Sequence, residues 1–266
     1  MAGESHRRIH EARKMKINEL PGFDSVQLTV LVDNEIYLEG LSSTWGLSIY
    51  VEAEIDVFKR KILMDTSGSY DALTYNSSKL RVDLSAVEAI FISHWHGDHC
   101  GCLKEMLEAL RPGTLVYVPS VNRGGVKLIE EVGGKAVMCL KPESFLGGFL
   151  STGCLGRWTK EHSLLIKLAN SEFILLTGCA HSGIINIIEH LQNFLGNFKL
   201  KAVIGGFHIS GRREGLAVGE FMKEKGVEIV SPCHCTGRDA KRAIAEVLGG
   251  SHIRCGSGKS FQFRSK

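Results

Sequence analysis

The sequence predicts an α/β protein, and three observations carry that reading. Strand-length apolar runs alternate with helical patterns along most of the chain. Polar residues able to bind metal recur where those strands end, at Asp65, His94, His181, His208 and His234. A string of three histidines and one aspartate, His94-Trp95-His96-Gly97-Asp98-His99, directly follows one of the strands. In α/β sheets sites assemble outside the strand carboxyl ends, so the last two observations imply one shared site.

The elements follow in order. Residues 1–20 are polar and weakly patterned and read as an N-terminal extension, leaving 21–266 as a single domain of ordinary size. Gln27–Asp33, Leu47–Ala53 and Lys61–Met64 are β-branched or apolar runs of strand length. The third stops at the polar turn Asp65-Thr66-Ser67-Gly68, and Ala89–Ser93 is a further buried strand ending on the histidines. Cys102–Leu110 is an amphipathic helix stopped by Pro112-Gly113, and Thr114–Val118 is the next strand. Residues 120–160 are broken by Gly pairs and carry little legible pattern. Ser163–Leu168 and Glu172–Leu176 then form a hairpin across Ala169-Asn170-Ser171. Helices over Ile184–Phe194, Glu214–Lys225 and Ala240–Leu248 alternate with strands at Ala202–Ile204 and Val227–Val230.

Composition narrows the partners. Apolar residues make up 44% and charged residues 23%, as in soluble globular proteins. The net charge of +3 comes without a basic stripe interleaved with aromatics, which argues against nucleic acid. The basic groups Arg7-Arg8, Arg13-Lys14-Lys16 and Lys59-Arg60-Lys61 read as solvated faces. With no 18-residue apolar run and no apolar leader core, neither membrane insertion nor export is expected, so the expectation is a cytoplasmic protein. The eight cysteines are then expected to be reduced. Cys100, Cys102, Cys179, Cys233 and Cys235 stand near the histidines, whereas Cys139, Cys154 and Cys255 read as apolar filler.

The histidine string is metal chemistry. Imidazole nitrogen and carboxylate oxygen suit Zn2+, as one or two ions, and suit iron or manganese as well. A strand-to-loop turn can aim His94 and His96 at one ion while Asp98 and His99 turn to a second, with Gly97 supplying a tight backbone. His162, His190 and His252 lack partner motifs and read as ordinary core or surface residues. A separate structural zinc site from Cys233-His234-Cys235 with Cys100 and Cys102 is disfavoured, because C-x-C makes a poorer knuckle than C-x2-C.

H-x-H-x-D-H after a hydrophobic strand, with Asp65 at a strand end in ILMDTSG, resembles the metallo-β-lactamase superfamily over about residues 25–260. The resemblance implies an α/β four-layer αβ/βα sandwich, two facing sheets with helices outside and metals at one edge. It implies His181 in TGCAHSG and His234 in PCHCTG as further ligands, though each alone is equally an ordinary histidine. Asp65 would orient a metal-bound histidine. Cys179 stands where dinuclear members carry a bridging carboxylate, so either a thiolate replaces it or one ion is held. Asp98 and His208 are the expected catalytic residues. His208 has three open roles: ligand, substrate contact or general acid. Trp95 either stacks on a planar ring or packs a loop, and Gly206 would lie beside the substrate.

The strings LVDN, GLSIYVE, ILMDTSG, LLTGCAHSGIINII, VIGGFH and PCHCTG together resemble the branch around 7,8-dihydropterin-6-methyl-4-(β-D-ribofuranosyl)-aminobenzene-5′-phosphate synthase. That branch implies a phosphorylated small-molecule substrate: a dihydropterin-methyl diphosphate condenses with an arylamine and diphosphate leaves. Family habit adds an expected homodimer. Two departures stand out: Thr44-Trp45 in place of the usual Glu-His, and Trp95 between the motif histidines. The competing readings are a hydrolase of phosphodiesters, esters or lactams that activates water on metal, and a non-catalytic metal-binding sensor.

Overall fold

The computed structural model describes residues 20–265, so all of the expected N-terminal extension except Leu20 lies outside the described residues. Six strands of the first sheet come early: β1 (Ser25–Val32), β2 (Ser48–Ile55), β3 (Phe58–Met64), β4 (Ala89–Phe91), β5 (Leu115–Val118) and β6 (Lys135–Met138). The second sheet takes β7 (Glu143–Phe145), β8 (Phe149–Ser151), β9 (Leu164–Lys167), β10 (Glu172–Thr177), β11 (Lys199–Gly206) and β12 (Ile229–Cys233). The chain then returns to the first sheet as β13 (Ser260–Arg264), antiparallel to β1. The sheet orders are β13-β1-β2-β3-β4-β5-β6 and β12-β11-β10-β9-β8-β7.

Strand periodicity divides the apolar residues between two faces. Val26, Leu28 and Val30 of β1 meet Ile174 and Leu176 of β10 and Ile204 of β11 in one buried cluster between the sheets. The alternate residues Phe173, Leu175 and Val203 face outward onto helices α5 (Ile184–Leu195), α6 (Arg212–Glu224) and α7 (Arg238–Leu248). The outer face of the first sheet is covered by α1 (Tyr70–Lys79), α3 (Leu103–Ala109) and α4 (Arg123–Glu131), with the four-residue α2 (Gly97–Cys100) at its edge. Helix, sheet, sheet, helix is the expected αβ/βα sandwich. Among the described residues no helix is long and apolar enough to cross a membrane.

Several elements differ from expectation, for physical reasons. The final strand begins at Ile229 rather than Val227 because Gly226 (φ 66°) caps α6 and the Val227 N–H bonds back to Met222 O. Helix α1 is poor in apolar periodicity but is started by Ser69, whose hydroxyl accepts from Ala72 N at 3.3 Å. Helix α4 lies in the stretch with no legible pattern and is started by Asn122, whose Oδ1 accepts from Gly125 N at 3.0 Å.

The site is positioned by parallel pairing. β3, β4 and β5 run parallel to one another, as do β10, β11 and β12. Met64 pairs with Phe91, Thr177 with Gly205, and Gly206 with Cys233. The loops after these strands therefore leave at one level in each sheet.

Candidate metal centre

The loops after β3, β10, β11 and β12 bring their polar residues past the strand ends through backbone that favours glycine. Asp65, Ala180, His208 and His234 all have left-handed φ, between 48° and 58°. Strain of this kind persists where the surroundings over-determine it, as they do at functional sites. Gly97 contributes less than expected. It opens α2 with open space where a Cβ would stand, so no tight backbone demands glycine there.

Two groups of donor atoms result. His94 Nε2 lies 3.0 Å from His96 Nδ1 and 3.3 Å from His181 Nε2. His99 Nε2 lies 3.0 Å from His234 Nε2, and Asp98 Oδ2 is 3.6 Å and 3.3 Å from those two nitrogens. Cys179 Sγ sits between the groups, 3.3 Å from His99 Nε2 and within 4.8 Å of His94 as well. His94, His99, His234 and Cys179 are buried, whereas His96 and His208 are exposed, so the centre has one open edge. The His208 ring stands 4.3 Å from that of His181, in a third donor group with Cys179.

The neighbours fix which nitrogen is free. Ser93 Oγ donates to Asp65 Oδ2 at 2.7 Å, so it can only accept from His94 Nδ1 at 3.0 Å. Asp65 Oδ2 also accepts from His99 Nδ1 at 2.7 Å, and Asn34 Oδ1 accepts from His234 Nδ1 at 3.1 Å. In each of the three rings, when neutral, Nε2 is therefore a bare lone pair aimed at the centre. Lone pairs held 3.0 to 3.3 Å apart with no proton between them are repulsive alone but suit a shared cation. Tetrahedral zinc with nitrogen ligands spaces them about 3.3 Å apart. The residues present fit a divalent ion at each group.

Electrostatics point the same way. Burial, then the neighbouring histidines, hold His94 well below the ordinary histidine range. Burial and His208 bring His181 down to about 4. Contact with His234, then with His99, holds Asp98 below the usual carboxylate range against its burial. His94 and His181 thus resist protonation, whereas His99 is held above the ordinary histidine range, its burial outweighed by Asp65 and Asp98 beside it. Cys179 is pushed up and Cys235 down to about 5, because the Cys179 thiol donates to the Cys235 sulfur.

Four supporting residues, Glu161, Asp33, Asn34 and Ser93, escaped the sequence reading. Glu161 is buried and accepts backbone N–H bonds from Cys179, Ala180 and His181 at 2.8, 2.9 and 2.7 Å. Asp33 accepts from His234 N at 2.8 Å, and Ser93 links Asp65 to His94. Asp33 and Asn34 stand in the LVDN string, which gave a signal without a role. Glu161 precedes His162 with no motif to flag it.

Trp95 is half-buried, with its indole N–H donating to Ser120 O at 3.1 Å and its ring packed over Gly125. It also lines a cleft of about 250 Å³ together with His96, Trp158 and Lys160. Gly206 is buried, and a Cβ there would come within 2.3 Å of Gly178 O. Cys100 and Cys102 join none of the donor groups among the described residues.

The metallo-β-lactamase superfamily family model matches residues 39–125, a stretch holding Asp65 and the whole histidine string. The chain is 23% identical over 286 residues to the 7,8-dihydropterin-6-methyl-4-(β-D-ribofuranosyl)-aminobenzene-5′-phosphate synthase of Methanocaldococcus jannaschii, covering 90% of this chain and 97% of that one. An uncharacterised protein of the same organism is 25% identical over 251 residues, covering 83% of this chain and 94% of its own length. Among solved structures, a metal-dependent hydrolase of the β-lactamase superfamily superposes with a TM-score of 0.71 at 22% identity, over 90% of this chain and all (100%) of that one. A diphosphatase of the PhnP family does so at 0.57 and 12% identity, over 90% and 97%.

Proposed function

We propose that this chain, which resembles the metallo-β-lactamase superfamily over residues 39–125, joins a dihydropterin-methyl diphosphate to an arylamine ribose phosphate, releasing diphosphate. One observation carries this reading: similarity to the dihydropterin synthase runs through 90% of this chain and 97% of the relative. The likeness is therefore not confined to the histidine string but takes in both sheets.

In this reading zinc is held by His94, His96 and His181 on one side and by Asp98, His99 and His234 on the other, with Cys179 between them. A bound divalent ion supplies Lewis-acid neutralisation of the charge gathering on the departing diphosphate. The carbon–oxygen bond to diphosphate breaks as the carbon–nitrogen bond to the arylamine forms, and the amine loses a proton. His208, exposed beside His181, is the group placed to take it. The cleft between Trp95, Trp158 and Lys160 offers two indole faces for a flat ring and a cation for phosphate. Asp65, Asn34 and Ser93 hold the imidazoles in place.

Purified zinc-loaded protein given both substrates should yield the coupled pterin, read by mass spectrometry, with one diphosphate per product. Diphosphate released equally fast without the amine would replace this reading with a hydrolase. No consumption of the pterin diphosphate under either condition would sink both.

A further inference from the structure

The second donor group is flanked by a carboxylate and by sulfur. Asp98 approaches the His99–His234 pair from one side. Two sulfurs stand beside the same pair: Cys179 Sγ, His234 Nε2 and Cys235 Sγ all lie within 4.8 Å of one another. Cys179 Sγ is also 3.3 Å from His99 Nε2. Cys179, Cys235 and His234, with His99 beside Cys179, offer two thiols and two imidazoles, a composition that zinc accepts readily.

The backbone is shaped to admit the second thiol. A Cβ on Gly206 would lie 2.6 Å from Cys235 Sγ and 3.2 Å from Cys179 Cα, so any larger residue would evict it. His234 and His208 take left-handed φ of 48° and 49°, turning the chain where Cys235 points inward. Cys235 Sγ lies 3.7 Å from Cys179 O, a weak sulfur contact, and beside the Cys179 thiol itself.

We propose that Cys235, with Cys179, is a sulfur ligand of the second metal position. An ion that prefers thiolate is then drawn to the Cys179–Cys235 face, and one that prefers oxygen to Asp98. The proposal rests on the reading of this centre as metal-binding and adds a ligand to it. Binding displaces the thiol protons to solvent and leaves both sulfurs as thiolates.

Cobalt(II) in place of zinc provides a readout independent of turnover, because each thiolate ligand adds sulfur-to-cobalt charge-transfer absorption in the near ultraviolet. Protein prepared under reducing conditions should show the band, and Cys235→Ser should keep about half of it with metal content unchanged. In the unmutated protein, stoichiometric zinc should slow alkylation of Cys235 by iodoacetamide at least ~10-fold, since a metal-bound thiolate is a poor nucleophile. That measurement stands even if the variant fails to fold. A full band in Cys235→Ser, or unprotected Cys235 at full zinc occupancy, overturns the proposal while leaving the metal centre intact. Failure to bind either metal overturns both.

Discussion

Glu161 shows how much of a metal centre depends on a residue that touches no ion. Its two oxygens gather three successive backbone N–H groups, from Cys179, Ala180 and His181. Such a run of amides around a left-handed residue is an anion-binding concavity, here filled by a carboxylate of the same chain. Burial pushes the Glu161 carboxyl upward, and the three N–H bonds oppose that shift. The bonds fix the loop that carries both Cys179 and His181. Glu161→Ala would strand three buried donors and should cost roughly 3 kcal/mol or more of stability. It should also weaken zinc binding about 10- to 100-fold, because the loop loses its anchor. Chelator competition and denaturant unfolding measure the two effects. Wild-type zinc affinity in that variant would show that the loop holds its ligands unaided.

At the scale of elements, α6 and α7 lie unusually close where Gly215 faces Ala240. A Cβ on Gly215 would stand 2.5 Å from Ala240 O and 2.8 Å from Ala240 Cα, contacts with backbone that cannot rotate away. Gly215→Val should therefore push the helices apart and destabilise the protein by about 1–3 kcal/mol, measured as a lowered denaturation midpoint. An unchanged midpoint would mean the helix pair slides at no cost. Elements such as α5 were legible because Ile184, Ile187, Ile188 and Leu191 repeat at helical spacing and face one sheet. Helix α1 was not, since Asn76 and Ser77 are buried polar residues that break its apolar stripe. Asn76 is needed there because its side-chain amide donates to Leu31 O and Ser42 O. The strand β13 did carry a signal, the alternation in Ser260–Arg264 that buries Phe261 and Phe263. The same division holds for the centre. Residues bearing lone pairs announced themselves by their strand-end spacing. Those that orient them, Glu161 and Asp33, come from distant strand and loop positions that only the fold brings in.

Across the whole molecule, the two sheets are pinned together beside the centre by His162. It is 1% exposed, donates from Nε2 to Ile92 O past β4 at 2.9 Å, and so accepts at Nδ1 from Ser151 Oγ of β8 at 2.8 Å. Its ring stacks on Phe91 at 3.9 Å between centroids. Burial without any carboxylate partner lowers its pKa from 6.5 to about 3. The sign follows from proton counting. Between those two values the unfolded chain takes up a proton at this residue and the folded protein does not. Its contribution is whole above pH 6.5 and is lost as the pH falls toward 3. Over that window one proton corresponds to about 1.4 kcal/mol per pH unit. Replacing His162 with Gln keeps an amide that can donate to Ile92 O but removes the titration. Unfolding free energies measured in denaturant at several pH values should fall less steeply toward acid in the variant, by up to one proton. Taking the difference between the two proteins in the same buffers cancels the shared titration of the metal centre. Parallel pH profiles would mean that His162 is protonated in the folded protein, and that the clasp between the sheets is ionic rather than neutral.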